Sequence, residues 1–97
     1  MPTHDELASF WRDWENLTPE QQRRFRDAVR KFVEDLEAAS GFRAGLRVKG
    51  IQGAGGIYEL TWADDGRATF EYGSPVIGTE PHIVWRRIGT HDIFGRP

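Results

Sequence analysis

The sequence contains no cysteine, and it has no apolar stretch as long as a membrane span. The first absence excludes a disulfide framework and a thiolate metal site. The second excludes a transmembrane helix, and the N-terminal segment MPTHDELASF lacks the apolar core of a secretory signal peptide. We therefore expect a protein of the cytoplasm with no membrane contact.

A large excess of positive charge is also lacking. The 97-residue chain has a net charge of −2, so the protein as a whole is not a strongly basic nucleic-acid binder. Residues 1–40 hold six Lys or Arg against nine Asp or Glu, whereas residues 41–97 hold seven against six. Any anion-binding surface is expected in the second half of this single domain, residues 1–97.

Residues 4–40 have the periodicity of a helical hairpin. Thr3 and Glu6 match a capping box, and apolar side chains follow at helical spacing. A second capping box, with proline at the first helical position, starts the next helix at Thr18-Pro19-Glu20-Gln21, and Ser40-Gly41 is expected to end it. Its apolar stripe predicts a helix packed on a core, which we favour over a ligand box; the stripe comprises Phe25, Ala28, Val29, Phe32, Val33 and Leu36.

From about residue 44 to residue 94 the composition changes to that of a sheet. Four segments have strand length and turn-rich borders, at residues 46–50, 57–62, 68–72 and 82–88. Asp64-Asp65-Gly66 predicts a hairpin between the second and third. The pattern predicts an α+β fold in which the helical hairpin packs on one face of a small twisted, mostly antiparallel four-stranded sheet.

Strand alternation separates the side chains of the two faces of this sheet. Tyr58, Leu60 and Trp62 are expected to meet the helices. In the last strand both faces carry apolar residues, which predicts a strand covered on both sides and allows only one of Arg86 and Arg87 on the open face. Alternation does not say which one. The other polar side chains expected on the open face are Arg47, Lys49, Glu59, Thr61, Arg67, Thr69 and Glu71, with His91 just past the strand end.

These residue types suit cleavage of RNA. Internal cleavage needs a base for the 2′-hydroxyl, an acid for the leaving 5′-oxygen and cations for the phosphate. The alternative is an ordinary exposed face on which Arg and Glu pair across strands, for roughly 0.2–1 kcal/mol per pair. His4, His82 and His91 do not have metal-ligand spacing, so no metal or other cofactor is expected.

Four segments carry a resemblance to a known family. GLRVKG, GIYELTW, DGRATFEY and HIVWRRIGTHDIF, in this order within the region from Phe10 to Phe94, resemble the RelE/ParE superfamily of bacterial toxin–antitoxin toxins. The resemblance implies a twisted sheet with a helical hairpin on one side and an active cleft on the other. Many members cleave mRNA in the ribosomal A site without a metal ion.

The resemblance also implies roles for individual residues. Arg67 matches a phosphate-contacting arginine, and His91 stands where members keep a catalytic His or Arg. Lys49 is implied as a catalytic cation, and Glu59 would be the base. The residues left for substrate binding are Arg47, Arg86, Arg87 and Phe94, the last in place of the tyrosine that many members have.

The implied partners are a cognate antitoxin, mRNA and the ribosome, with DNA contacted only through an antitoxin complex.

Two alternatives to this function stay open. One is a ParE-like inhibitor of DNA gyrase that binds without chemistry, and the other is a catalytically idle interaction domain. Members usually open with a short strand before the first helix, of which MPTHDELASF shows little sign.

Overall fold

Two helices lie on one face of a five-stranded sheet in the computed structural model, which describes all residues from Met1 to Pro97. The strand order is β1-β5-β4-β3-β2, with β1 parallel to β5 and every other pair antiparallel. The predicted α+β class is confirmed. The elements are β1 (Thr3–Glu6), α1 (Ala8–Glu15), α2 (Pro19–Ala38), β2 (Lys49–Gly50), β3 (Ile57–Thr61), β4 (Gly66–Gly73) and β5 (His82–Thr90), with 3₁₀ turns at Ala44–Leu46 and His91–Gly95.

The prediction of four strands, with Thr3 and Glu6 in a helix cap, is wrong. Thr3–Glu6 forms β1, which pairs in parallel with the start of β5, and α1 begins after Leu7 without a side-chain cap. The buried His82 holds the two strands together: its Nδ1 lies 2.7 Å from Thr3 Oγ1 and its Nε2 lies 3.1 Å from Asp5 Oδ2. The partner strand is almost 80 residues away in sequence, so no local pattern indicates it.

The second helix begins as its sequence predicts. Thr18 Oγ1 accepts a hydrogen bond from the amide of Gln21, and Gln21 Oε1 accepts one from the amide of Thr18. The helix ends at Ala38, where Ala39 takes the left-handed conformation that we expected one or two residues later, at Ser40-Gly41. None of the helices is both long enough and apolar enough to cross a membrane.

Aromatic side chains join α2 to the sheet. The ring of Phe32 packs edge-on against Phe70 of β4 at 5.1 Å between centroids, and Phe25 does the same against Trp85 of β5 at 5.3 Å. These four side chains are buried, together with Leu60 and Trp62 from the predicted inner face of β3. The stripe of α2 is therefore core, as predicted.

The segment predicted as a strand at 46–50 is mostly something else. Leu46 ends a 3₁₀ turn, Arg47 has a left-handed backbone with φ of 49°, and only Lys49 and Gly50 pair with β3. Because β2 pairs only with Glu59 and Tyr58, the outer edge of β3 beyond Glu59 has no strand partner. This free edge opens a groove between the sheet and α2.

A β-bulge in β5 decides the orientation of its arginines. Trp85 and Ile88 are both buried on the helical side although they are three residues apart. The register explains this: Trp85 is opposite Phe70 and Arg87 is opposite Thr69, so Arg86 is an extra residue. The prediction that only one arginine faces the open side is therefore wrong, because strict alternation fails at a bulge. Both Arg86 and Arg87 lie on the open face.

The first helix covers the edge of β5 where β1 stops. Ser9 Oγ donates a hydrogen bond to the carbonyl of Arg86 at 2.7 Å, and Asp13 Oδ2 accepts one from the amide of Ile88 at 3.1 Å. The backbone groups of an uncovered strand edge would otherwise be free to pair with another chain. Helix α1 thus protects the edge that the short β1 leaves open.

Candidate functional site

The open face of the sheet carries a row of polar side chains across four strands. Lys49, Glu59, Thr69 and Arg87 are successive partners in the registers of β2, β3, β4 and β5. Lys49 Nζ lies 4.0 Å from Glu59 Oε1. Thr69 is fully buried because residue 97 lies over it, with the Thr69 hydroxyl donating to the Pro97 oxygen at 3.0 Å. The middle of the row is therefore covered.

The two arginines of the bulge are engaged with carboxylates. Arg86 Nη1 donates to Glu71 Oε1 at 3.1 Å and its Nε donates to the Pro97 oxygen at 3.1 Å. Arg87 forms a two-pronged pair with Asp13, from Nε at 2.6 Å and from Nη2 at 3.1 Å. This hydrogen-bonded carboxylate raises the pKa of Arg87. Arg87 thus joins α1 to β5, a structural role that the sequence did not reveal because Asp13 is 74 residues away.

Arg67 has no carboxylate partner. Its Nη1 donates to the main-chain oxygens of Ala63, Asp64 and Gly66, at 3.3, 3.2 and 3.0 Å, so the guanidinium lies over the β3–β4 turn. Main-chain oxygens carry only partial charge and do not neutralise a cation. Arg67 is therefore a cation on the open face whose charge is available to a phosphate group.

His91 lies beside the same turn. It is exposed, and its Nδ1 donates to Asp65 Oδ1 at 2.6 Å. The hydrogen bond to Asp65, then the charges of Asp65 and Asp92, raise the pKa of His91 above its usual 6.5, and the same bond lowers the pKa of Asp65. Asp65 was predicted only as a turn residue; its place in the turn that faces the end of β5 was the available signal. The contact keeps His91 protonated to higher pH, as a proton donor requires.

The structure divides the predicted site into two groups with Arg67 between them. Lys49 and Glu59 form one group, and His91 with Asp65 forms the other. Glu59 is the diagonal neighbour of Arg67 across the β3–β4 pair, and Arg67 is opposite Gly89, two residues before His91. Two strand spacings, about 10 Å, separate the strands of Glu59 and His91, and His91 lies four residues further along the chain than Arg87, which is level with Glu59, so the two backbones are about 16 Å apart. A phosphate held by Arg67 would lie between a carboxylate and an imidazolium.

The remaining predicted residues lie elsewhere. Arg47 was predicted to lie beside Lys49 on the open face. It lines the groove at the free edge of β3 instead. Its left-handed backbone, in place of a strand, is the reason. Phe94 is half-buried on the 3₁₀ turn that also carries His91. No group of three or more His, Asp or Glu side chains has the arrangement needed to hold a metal ion.

The titration of His91 tests the contact with Asp65. We expect the pKa of His91 to lie above 6.5 in the folded protein and to fall towards that value in Asp65→Asn, because a neutral amide no longer stabilises the imidazolium. The pH dependence of the ring resonances in ¹H–¹⁵N NMR spectra measures it. Asp64→Asn is the matched control, since the Asp64 side chain does not contact His91. An equal drop in both variants would contradict the assignment.

Comparison with other proteins supports the fold rather than a sequence relationship. No protein-family model and no curated protein sequence matches the chain. Among solved structures it is similar to a YoeB/ParE toxin from Agrobacterium tumefaciens, at a TM-score of 0.66 and 14% identity over 92% of this chain and 98% of that one.

Chains of two toxin–antitoxin complexes are also similar, at somewhat lower TM-scores. The chain matches one in the RelB–RelE antitoxin–toxin complex from Methanococcus jannaschii at a TM-score of 0.59 and 15% identity, covering 91% of both chains. It also matches a chain of the DinJ–YafQ toxin–antitoxin complex of E. coli, at a TM-score of 0.61 and 14% sequence identity, covering 94% of this chain and 93% of that one. Backbone similarity over nine-tenths of both chains, at such low identity, establishes architecture. This chain has the fold of the RelE/ParE-type toxins.

Proposed function

We propose that the protein is the toxin of a toxin–antitoxin pair and that it cleaves mRNA without a metal ion. The observation that carries the proposal is the position of Arg67, an unneutralised cation between Glu59 and the His91–Asp65 pair. The similarity to toxin structures over nearly the whole chain supports the first part. The acid, base and cation supplied by these residues support the second.

The reaction would follow from the roles of three side chains. Glu59 takes the proton of a 2′-hydroxyl, whose oxygen attacks the adjacent phosphorus. The P–O5′ bond breaks, and His91 gives its proton to the departing oxygen, leaving a 2′,3′-cyclic phosphate and a 5′-hydroxyl. Arg67 stabilises the charge that develops on the phosphate, and Lys49 acts as a second, more distant cation.

The partners follow from the same proposal. RelB and DinJ accompany toxins in the solved complexes, and a cognate antitoxin would hold this chain inactive in the cytoplasm. The net charge of −2 is a poor basis for tight binding of free RNA, because RNA affinity depends on Lys and Arg neutralising phosphates. Presentation of the message by the ribosome removes that requirement.

One observation favours a second candidate, a toxin that binds its target without chemistry, as a ParE-like gyrase inhibitor would. Arg86 and Arg87 are already paired with Glu71 and Asp13. The backbones of Glu59 and His91 are about 16 Å apart before any substrate is bound. Such contacts are typical of a sheet face whose charged side chains stabilise the fold and do not act on a substrate. An idle interaction domain would share these contacts but would not arrest growth.

Induced expression in a bacterium separates these candidates. The nuclease proposal predicts a rapid fall in protein synthesis and new 5′ ends inside messages, mapped by primer extension. Purified protein should cut a message on translating ribosomes. Isolated RNA should be cut much more slowly, at high protein concentration, and that slow cleavage should survive EDTA. Intact messages with a DNA-damage response would replace the proposal with gyrase inhibition. Normal growth at full expression would leave only the idle domain.

A further inference from the structure

The free edge of β3 borders a groove of about 410 Å³. We call it the β3-edge groove; it lies between α2, the 3₁₀ turn at Ala44–Leu46 and the β3–β4 turn. It exists because β2 is only two residues long and leaves Leu60 and Thr61 without a strand partner on the side away from β4. Arg67 borders both this groove and the open face, so the groove is an extension of the candidate site.

The lining of the groove carries more cations than carboxylates. Five Lys or Arg line it against two Asp: Arg24, Lys31, Arg43, Arg47 and Arg67 against Asp27 and Asp64. Arg43 is paired with Glu34 and Asp35, Lys31 with Asp27, and Arg24 with Glu20. Arg47 forms no ion pair, and Arg67 contacts only main-chain oxygens. Two guanidinium groups in the groove therefore have no paired carboxylate, against one unpaired carboxylate, Asp64.

Two buried polar atoms in the groove lining also lack a partner. The indole Nε1 of Trp62 and the hydroxyl of Thr61 make no hydrogen bond, although Trp62 is only 9% exposed. A buried group left unpaired costs about 1–3 kcal/mol. The indole N–H can only donate, so what it lacks is an acceptor. Both atoms are shielded from solvent, so an acceptor reaches them only when the groove lining moves slightly. Two cations without a paired carboxylate, beside a donor that lacks an acceptor, favour an anion as the ligand.

The neighbouring groove has the opposite charge. It lies on the other side of Trp62 and Asp64, and its charged lining is one arginine against four carboxylates: Arg24 against Asp13, Glu20, Asp64 and Asp65. An anionic chain that reaches Arg67 is repelled on that side and attracted on the other. The charges therefore direct such a chain from Arg67 towards Arg47.

We propose that the β3-edge groove binds a backbone phosphate of RNA next to the phosphate that is cleaved. Arg47 makes the charge-assisted contact with Arg67 on the other side of the phosphate, and a small shift of the lining on binding brings the shielded Trp62 Nε1–H and Thr61 hydroxyl within hydrogen-bond reach. The proposal rests on the proposed function for the identity of the ligand. RNA is favoured over an acidic protein segment because the groove continues the face that carries Arg67 and His91.

Ligand titrations followed by NMR test this site. The probes are inorganic phosphate and a 2′-O-methyl RNA 12-mer, which binds but has no 2′-hydroxyl to attack. We expect the indole N–H resonance of Trp62, identified by its loss in Trp62→Phe, to shift with both probes and at lower concentration with RNA. Arg47→Gln should weaken RNA binding about tenfold. It should also reduce the slope of log affinity against log salt concentration by about one, the change expected for the loss of one phosphate contact. Arg23→Gln, an exposed α2 arginine outside the groove, should leave both unchanged.

Three results would overturn the inference. One is an unmoved Trp62 resonance, and another is RNA binding no tighter than that of inorganic phosphate, which would indicate a site for a free anion. A polyglutamate peptide that binds as tightly as RNA would indicate an acidic protein partner instead. Cleavage is assayed separately with ordinary RNA. RNA binding in the groove without cleavage would contradict the proposed chemistry but support the groove as a binding site. Cleavage without RNA binding in the groove would support the chemistry and contradict the groove.

Discussion

His91→Ala is expected to reduce RNA cleavage by about 10²–10⁴-fold, the usual contribution of a positioned general acid. Arg67→Ala should cost about 10²–10³-fold, because it removes a contact to charge that develops in the transition state. Both effects are expected in single-turnover rates, with little change in thermal unfolding for His91→Ala, since His91 is exposed. If Arg67→Ala lowers the unfolding temperature, Arg67→Lys, which keeps the positive charge, shows whether the loss of cleavage comes from the lost charge or from the weakened fold.

Matched variants show whether these losses are specific. His4→Ala removes an exposed histidine on β1, and Arg23→Gln removes an exposed arginine on α2; both should cleave RNA within about twofold of wild type, as surface changes usually do. Asp65→Asn should shift the loss of activity at high pH to a lower pH, because it lowers the pKa of the proton donor. Full cleavage by both His91→Ala and Arg67→Ala would remove these residues from the active site.

Gly66→Ala is expected to destabilise the fold by about 3 kcal/mol, near the upper end for overpacking. A Cβ at Gly66 would lie 2.6 Å from two ring carbons of Trp62 and 2.8 Å from a third. The indole is buried and packed in the core cluster, so it does not swing aside as an exposed side chain would. For a domain of this size, the unfolding midpoint should fall by about 15 °C.

Urea unfolding measures this change, and Gly45→Ala is its control. No atom lies within 4 Å of a Cβ at Gly45, and its backbone is not left-handed, so Gly45→Ala should be neutral or slightly stabilising. Replacing the indole as well, in Gly66→Ala/Trp62→Leu, should cost less than the sum of the two single changes because the clash is gone. Equal stabilities for Gly66→Ala and Gly45→Ala would show that Trp62 can move.

Local signals in the sequence were sufficient for several elements. The N-terminus of α2 is determined by hydrogen bonds within four residues, and the β3–β4 turn by Asp64-Asp65-Gly66, so both follow from neighbouring residue types. The inner faces of β3 and α2 follow from periodicity, because burial repeats every two or every 3.6 residues. Arg67, Glu59 and Lys49 could be placed on the open face for the same reason.

Features that depend on residues distant in sequence required the tertiary structure. Thr3–Glu6 became a strand because β5 offers it a partner, and the bulge placed Arg86 and Arg87 on one face because Trp85 and Ile88 both pack inward. The pairing of Asp65 with His91, and of Asp13 with Arg87, joins residues 26 and 74 positions apart.

The sequence by itself thus determined the fold class, the order of the elements from α1 onwards and the types of residue on the open face, all of which rest on interactions between near neighbours. Only the tertiary structure decided which of the cations are neutralised, which contact raises the pKa of His91, and where Arg47 lies. Charge balance, pKa values and grooves arise from contacts between separate elements, and periodicity does not encode such contacts.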